Sequence, residues 1–194
     1  MAKVLFLILF FAFSVPAVLA QDDYNKYDIY AGFSHNRIDI GDTGGLTSER
    51  EGFNGFEAAV KGNVSRYVGL KGDYSFHRKT FSENIEGTTF EVDATLHNIL
   101  GGVEFKDNSK EKRVKPFAHF LAGIVHAKLD VNFAGVSESD TAFAMAIGGG
   151  IDIRLGKRAD FRIIQVDYNP TRLSDETQHK TQHNFRIGIG IVFR

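Results

Sequence analysis

The chain has 194 residues and a net charge of −1 at neutral pH, and it contains no cysteine but 20 glycines and 18 phenylalanines. The lack of cysteine excludes disulfides, thiol chemistry and cysteine-based metal sites. The balanced charge excludes the bulk basic field of a nucleic-acid-binding protein, so no nucleic-acid partner is expected.

The first 20 residues have the features of a secretory signal peptide. Lys3 supplies a positive charge, and residues 4–13 form an unbroken apolar run that is too short to span a bilayer as a helix. Pro16 ends this run, and cleavage is expected after Ala20. We therefore assign residues 1–20 to a signal peptide and residues 21–194 to one mature domain. The alternative is a retained N-terminal anchor.

The mature sequence alternates apolar and polar residues through most of its length, which predicts an all-β fold. The first strand shows the pattern, with Tyr27, Ile29 and Phe33 on one face and Asp28 and Ser34 on the other. The predicted strands cover residues 27–34, 53–63, 67–77, 90–105, 115–129, 143–154, 161–168 and 185–193.

Two strands interrupt the alternation. In the fourth, the apolar residues of 92–96 and those of 99–105 have opposite parity, which predicts a bulge near Asn98. In the seventh, the parity changes at Ile164 and Gln165.

The last strand indicates which kind of β-protein this is. One face carries large apolar residues from Phe185 to Phe193, whereas the other carries Arg186, Gly188, Gly190 and Val192. A narrow transmembrane barrel explains both faces, because lipid covers the apolar side and the lumen admits small residues and paired charges. The mean hydropathy of −0.17 fits, since only alternate residues face lipid. A soluble lipocalin-like carrier, with its apolar face inside, is the less favoured alternative.

The connections between strands alternate in length, as expected for an outer-membrane barrel with long loops outside and short turns in the periplasm. The long connections are residues 41–51, 79–89, 132–140 and 169–180, and the shorter ones are residues 63–66, 107–113 and 156–160. Seven connections imply eight antiparallel strands in an up-and-down barrel with both termini in the periplasm.

Residues 161–172 and 184–194 resemble the last hairpin of small OmpA-like outer-membrane β-barrel proteins, and residues 30–34 resemble the first strand of the same group. The resemblance implies an eight-stranded barrel in the outer membrane of a Gram-negative bacterium. It also implies insertion by the barrel assembly machinery, which recognises the C-terminal strand. No C-terminal peptidoglycan-binding domain like that of full-length OmpA is expected, so the anchoring role of OmpA is not carried over.

The alternation predicts which side chains face lipid and which face the lumen. The expected lipid-facing belt includes Phe143, Met145, Ile147, Ile151, Phe185, Ile187, Ile189, Ile191 and Phe193, and in the fifth strand Ala118, Phe120, Ala122 and Ile124 are expected to face outward with His119 inward. The expected lumen network is Glu57, Lys61, Lys71, Asp73, Asp152, Arg154, Arg162, Asp167 and Arg186. Buried charges must pair, so this set forms either a static polar plug, which we favour, or a gate in which Arg186 exchanges between Asp167 and Asp152.

The histidines supply no recognisable metal or catalytic motif. His35, His77, His126, His179 and His183 are expected near strand ends or in loops, where solvated histidines are the default. A lipid-modifying enzyme could draw on His77, His97, Ser75, Ser82, Asp73 and Asp167, but their spacing matches no known arrangement. No catalytic, cofactor or metal site is therefore predicted.

The sequence thus favours an outer-membrane barrel with a structural or surface-interaction role over a narrow porin-like pore or an enzyme. The expected partners are outer-membrane lipid, the barrel assembly machinery and a possible surface ligand. The basic segment 110–115 is most simply a solvated charged turn, although it could also contact peptidoglycan or lipid headgroups.

Overall fold

The computed structural model describes residues 24–39, 50–85, 88–131, 136–175 and 178–194. The predicted signal peptide lies outside the described residues, and so does nearly all of the connection 41–51. The described ranges contain no helix long and apolar enough to cross a membrane.

The described residues form eight strands that pair in sequence order and close into a single antiparallel barrel. The strands are β1 (Tyr27–Asp39), β2 (Arg50–Asn63), β3 (Val68–Ile85), β4 (Thr88–Lys106), β5 (Val114–Val131), β6 (Val136–Arg154), β7 (Ala159–Asp175) and β8 (Gln178–Phe193). β8 pairs with β1, with Gly190 opposite Gly32, so the closed sheet has no free edge. The predicted fold class is confirmed.

Large apolar side chains lie on the outside of the barrel. On β1, for example, Ile29 and Phe33 are exposed, whereas their neighbours Asp28 and Ser34 are buried inside. This pattern is the reverse of a soluble barrel. The apolar stretch of β8 runs from Phe185 to Phe193, which matches the roughly 9–11 residues with which a tilted strand crosses a bilayer.

The strands are longer than the sequence predicted, and three of the four predicted long loops are largely wrong. Residues 79–85 pair with residues 88–94, residues 136–140 belong to β6, and residues 169–175 pair with residues 178–184. Antiparallel pairing continues beyond the apolar stretch because each additional residue pair satisfies backbone polar groups. The end that holds Tyr24 and Arg194 is called the lower end, and the opposite end, where these strand pairs extend, is called the upper end.

The predicted bulge near Asn98 is wrong, since β4 pairs with both neighbours in an uninterrupted register. The apparent change of parity reflects the contents of the lumen. Ala94 and Leu96 point into the upper lumen, which is apolar there, whereas Ile99 and Phe105 point outward lower down.

The predicted irregularity at Ile164 and Gln165 is confirmed. The register of β7 shifts against both β6 and β8 between Arg162 and Gln165. Ile163 and Ile164 are 39% and 42% exposed, whereas Arg162 and Gln165 are buried. One extra residue in β7 therefore lets the side chains of Arg162 and Gln165, which are three positions apart, both point inward.

The upper part of the lumen combines apolar clusters with buried polar side chains such as Asn36, Asn98 and Thr171, and its middle and lower parts are charged. The upper part contains two clusters, one formed by Leu100, Leu121, Val125, Ala142, Ala144 and Ala146 with Leu96, and one formed by Ile38, Phe53 and Ala94 with Phe81 and Leu96. Glycines make room for the larger inward side chains below. A Cβ atom on Gly148 would lie 2.1 Å from Oδ1 of Asp167, so the carboxylate occupies the space that the glycine leaves free.

The turn between β4 and β5 covers part of the lower end. Asn25 and Tyr24 pair with its residues Asn108 and Ser109. At the surface of this turn, the Arg66 side chain donates hydrogen bonds to Asp107 and holds the pKa of that carboxyl below its usual range.

Candidate functional site

The barrel interior holds nearly all of the charged residues that the sequence placed there. Arg186, Asp167, Asp73, Glu57, Lys71, Lys61, Asp152 and Arg162 are all buried, and Arg154 is half-buried at the lower end. They occupy two levels, a central cluster around Arg186 and a lower cluster around Lys106.

The central cluster is built from β2, β3, β7 and β8 and consists of Arg186, Asp167, Asp73, Glu57 and Lys71. The guanidinium of Arg186 lies 2.7 Å from Asp167 and 3.0 Å from Asp73, with Glu57 at 3.7 Å. Lys71 lies 3.2 Å from Asp73 and 3.7 Å from Glu57. Each cation therefore contacts two or more carboxylates, which offsets the cost of removing these charges from water.

Further polar side chains complete the central cluster. The Gln165 amide donates to Glu57 at 2.9 Å and to Asp167 at 2.7 Å. Nε2 of His119 lies 2.9 Å from Asp167, and the Ser75 hydroxyl accepts a hydrogen bond from Arg186 at 3.1 Å. Gln165 reaches this position because of the irregularity in β7.

The lower cluster consists of Asp28, Lys61, Glu104, Lys106, Asp152 and Arg162. Lys61 lies 2.8 Å from both Asp28 and Glu104, and Lys106 bridges Asp28 at 2.7 Å and Asp152 at 3.1 Å. Arg162 donates to Asp152 at 2.8 Å, while its guanidinium lies over the ring of Phe117 at 4.0 Å. The Phe117 ring thus stabilises the guanidinium through a cation–π contact on its flat face.

The two clusters are connected. Arg162 donates to Gln165 at 2.6 Å, and Lys71 lies 3.9 Å from Glu104. Between them lies a cavity of about 10 Å³, lined by Tyr30 and Lys71 among others, which is about the space of one water molecule.

At the lower end, the last residue of the chain enters the barrel. Arg194 contacts Asp160, and Lys115 lies 3.5 Å from the same carboxylate. Phe193, one residue earlier, points outward and is 53% exposed. The strand therefore ends with its aromatic residue outside and its terminal cation inside.

Several lumen residues were absent from the predicted set, namely Asp28, Glu104, Lys106, Lys115, Asp160 and Arg194. The alternation of apolar and polar residues could have identified Asp28, Glu104 and Lys115, because each is flanked by outward-facing apolar residues. Asp160 and Arg194 lie at strand ends, where alternation gives no information. With these residues included, the buried carboxylates and the buried cations of the described lumen match in number.

The structure also places the histidines and the proposed gate pair. His77 was expected near a strand end, but it is fully buried within β3, where its Nε2 lies 2.9 Å from Oγ of Ser34. Arg186 does not contact Asp152, whose partners are Arg162 and Lys106, so the second state of the proposed gate is not formed. Within the described ranges, no three His, Asp or Glu side chains are grouped so that they could hold a metal ion.

The outer face carries the predicted belt residues. Phe143, Ile147, Phe185, Ile187, Ile189 and Phe193 are exposed, and Met145, Ile151 and Ile191 are half-buried on the same face. Of the fifth-strand residues, Ala118, Phe120 and Ile124 are exposed, Ala122 is half-buried and His119 is buried. A surface with apolar residues outside and paired charges inside defines a membrane-embedded β-barrel.

Residues 5–193 match the family model of the outer membrane protein beta-barrel domain, and the chain belongs to this family. It is accordingly an outer-membrane protein. No curated protein sequence matches the chain.

Three solved structures share the fold at low sequence identity. Ail, the attachment invasion locus protein of Yersinia pestis, solved with the heparin analogue sucrose octasulfate, is 18% identical, with a TM-score of 0.55 over 86% of this chain and 97% of Ail. Neisserial surface protein A is 12% identical, with a TM-score of 0.58 over 87% and 97% of the two chains. OprG from Pseudomonas aeruginosa is 10% identical, with a TM-score of 0.51 over 89% and 96%.

Proposed function

We propose that this protein is a closed, non-enzymatic outer-membrane barrel whose working part is its upper surface, where strand pairs extend beyond the membrane to make contacts at the cell surface. The observation that carries this proposal is the contrast between a lumen filled by paired charges and strands that continue well above the apolar belt. Two structural relatives are named for attachment and for the surface, which agrees with such a role.

The filled lumen supports closure. A pore needs groups that can release one another, but Arg186 contacts three carboxylates and each of these has further partners. On the side of β4 and β5, Leu100, Leu121 and Val125 are buried and fill the lumen beside and above this cluster. An ion would therefore have to break a charged network and pass between packed side chains, which disfavours the porin-like alternative.

The extended strands support a surface role. Above the belt, the outward faces carry ion pairs and hydrogen bonds, such as Arg78 with Asp93 at 2.9 Å and Lys128 with Asp130 at 2.8 Å. Strand faces that carry such charged pairs are expected to contact water rather than lipid. At the lower end, by contrast, exposed apolar residues reach the ends of the strands, as Phe193 does on β8.

The serine and histidine that lie in contact within the described residues give the enzyme alternative no accessible site. Ser34 and His77 have the residue types of a nucleophile and a base, but both side chains are fully buried in the lumen. Ser75 is buried as well and accepts a hydrogen bond from Arg186. A substrate could reach neither serine without opening the barrel, so the contacts are better explained as structural.

The C-terminal strand is the proposed recognition segment for the barrel assembly machinery. β8 presents exposed apolar residues at alternate positions up to Phe193, and Arg194 is held inside by Asp160. The aromatic residue therefore remains accessible although it is not the last residue.

Single cysteines test the proposed orientation, because the chain has none of its own. Ser139 lies on an exposed upper position of β6, and Lys157 lies in an exposed turn at the lower end. We expect a membrane-impermeant maleimide to label Ser139→Cys on intact cells and to label Lys157→Cys only after the outer membrane is permeabilised.

The two variants serve as controls for each other, since both sites are exposed in the folded barrel. Labelling of Lys157→Cys but not Ser139→Cys on intact cells would show that the extended strands face the periplasm, and the surface role would then be wrong.

A further inference from the structure

Each of the four upward strand pairs carries one outward-facing histidine whose Nδ1 contacts a polar side chain of the partner strand. Nδ1 of His35 lies 2.7 Å from Oδ1 of Asn54, Nδ1 of His97 lies 2.9 Å from the Tyr74 hydroxyl, Nδ1 of His126 lies 2.8 Å from Oγ1 of Thr141, and Nδ1 of His183 contacts the Tyr168 hydroxyl. All four rings are thus held through the same nitrogen, Nδ1. Among the described residues, none forms a hydrogen bond with Nε2 of these rings, so Nε2 can bind another partner.

The four histidines mark the upper boundary of the apolar belt. Two positions below each histidine on the same strand, an exposed apolar side chain faces outward: Phe33, Ile99, Ile124 and Phe185. His97 and His126 lie directly opposite each other on β4 and β5, with ring centroids 6.5 Å apart. The imidazoles therefore lie where the hydrocarbon region ends.

An exposed cation lies about two positions above the histidine in each strand pair. Arg37 and Lys128 follow His35 and His126 on the same strands, Arg78 pairs with Thr95 two positions above His97, and Arg172 pairs with Thr181 two positions above His183. The four histidines and these four cations form a ring that we call the collar.

The charged and titratable groups around the collar favour an anionic partner. Those facing the histidines are the Tyr74 and Tyr168 hydroxyls, the neighbouring imidazoles of His97 and His126, and the four cations. Of the acidic groups, Asp93 and Asp130 lie higher, paired with Arg78 and Lys128, and Asp140 accepts a hydrogen bond from the Thr141 backbone N–H. The side chains of Asn54 and Thr141 are neutral.

The backbone also makes space for one of the rings. A Cβ atom on Gly52 would lie 2.7 Å from Cε1 of His35, so a larger residue at this position would displace the imidazole. The rings of His97 and His183 lie against aromatic side chains, with centroids 5.0 Å from Phe76 and 5.9 Å from Tyr168 respectively. An imidazole with its body on an aromatic surface and its Nε2 edge free suits the interface between hydrocarbon and headgroups.

We propose that the collar binds the phosphate groups of the lipids that surround the upper rim of the barrel, and that protonation of the four histidines strengthens this binding. A neutral imidazole gives phosphate one hydrogen bond at most from Nε2. An imidazolium gives a charge-assisted hydrogen bond, and together the four histidines double the number of cationic groups in the collar.

The test compares lipid preference in nanodiscs that contain phosphatidylcholine with a minor fraction of spin-labelled phosphatidylglycerol. The preference of the protein for the anionic lipid is measured at about pH 8 and about pH 5.5. We expect the preference of the wild-type protein to rise several-fold at the lower pH.

The deciding variant replaces His35, His97, His126 and His183 together by glutamine, which keeps a polar tip but cannot become charged. We expect this variant to retain a heat-shifted band on gels and to lose the rise at low pH. His179→Gln, which removes an imidazole four positions further up β8, serves as the matched control and should keep the rise.

Two results would overturn the proposal. The first is an equal rise at low pH in the quadruple variant, which would assign the pH dependence to other groups. The second is a wild-type protein whose lipid preference does not rise at low pH although its binding of inorganic phosphate does, which would mean that the collar binds soluble phosphate rather than a lipid surface. Should the quadruple variant fail to fold, single glutamine variants are each expected to lose part of the rise.

Discussion

Replacing Arg186 by methionine is expected to lower the free energy of unfolding by about 3–5 kcal/mol, because it removes one partner from a buried charged network. The guanidinium contacts Asp167 at 2.7 Å, Asp73 at 3.0 Å and Glu57 at 3.7 Å. Lys71 would then be left as the one buried cation of the central cluster facing three carboxylates. Urea-induced unfolding of the protein reconstituted in lipid vesicles measures the effect.

Two further variants define what the Arg186 measurement means. Arg158→Met removes an arginine from an exposed turn at the lower end, and we expect its unfolding curve to match that of the wild-type protein. Arg186→Lys keeps the charge but not the fork of donors, so its stability should lie between the two. A wild-type unfolding curve for Arg186→Met would show that the central cluster contributes little to the stability of the barrel.

Replacing Ile189 by arginine is expected to cost about 2–4 kcal/mol and to block insertion, because the side chain lies in the middle of the lipid-facing belt. Ile189 is 43% exposed on the outer face and pairs with Phe33, another exposed belt residue. The measurement is the yield of the heat-shifted band after refolding into lipid vesicles, followed by urea unfolding of the inserted fraction.

The neighbouring glycines provide matched controls on the lumen side of the same strand. A Cβ atom on Gly188 would lie 3.3 Å from the Tyr30 hydroxyl and 3.5 Å from Glu57, so Gly188→Ala should be mild. A Cβ atom on Gly190 would lie 2.4 Å from the Ala31 carbonyl oxygen and 2.5 Å from Cα of Gly32, so Gly190→Ala should be clearly worse than Gly188→Ala. If Ile189→Arg and Gly188→Ala behaved alike, the assignment of the two faces of β8 would be wrong.

Alternation predicted the fold because it is strongest where one side of a strand meets lipid. In β8, Phe185, Ile187 and Ile189 define one apolar face. The small residues on the opposite face indicated that this apolar face points outward. The same signal failed in β4, where Ala94 and Leu96 face an apolar part of the lumen. Hydrophobicity there no longer distinguishes outside from inside, and an unnecessary bulge was inferred.

The lengths of the strands could not be predicted from apolar alternation for a different reason. Beyond the belt the outer face of a strand meets water, so the sequence of residues 79–85 is mostly polar and resembles a loop, although Phe81 packs in the upper lumen. The pairing that extends these segments is made by backbone groups, which every residue except proline supplies equally. A polar segment in such a barrel can therefore be either a loop or a continuing hairpin.

The candidate site was predicted at the level of which residues face inward, but not at the level of which residues pair. Asp167 and Arg186 are partners across neighbouring strands, as the order of the strands suggests, whereas Glu57 and Gln165 meet across the lumen. Contacts of the second kind depend on the diameter of the barrel and on the local shift in β7. Neither can be derived from one strand at a time.

The histidines show the same limit. His77 and His97 are on neighbouring strands, yet one lies inside with Ser34 and the other lies outside with Tyr74. Their separation follows from parity along β3 and β4. The arrangement of one histidine for each strand pair becomes visible only when the strands are aligned in the closed barrel.

The conductance of the purified protein in a planar lipid bilayer tests most directly whether the lumen is closed. We predict that the wild-type barrel, once inserted, gives no discrete current steps and leaves the bilayer as quiet as a protein-free control. Stable steps from the wild-type protein, changed in size by Arg186→Met, would contradict closure and would show that the charged network is an ion path.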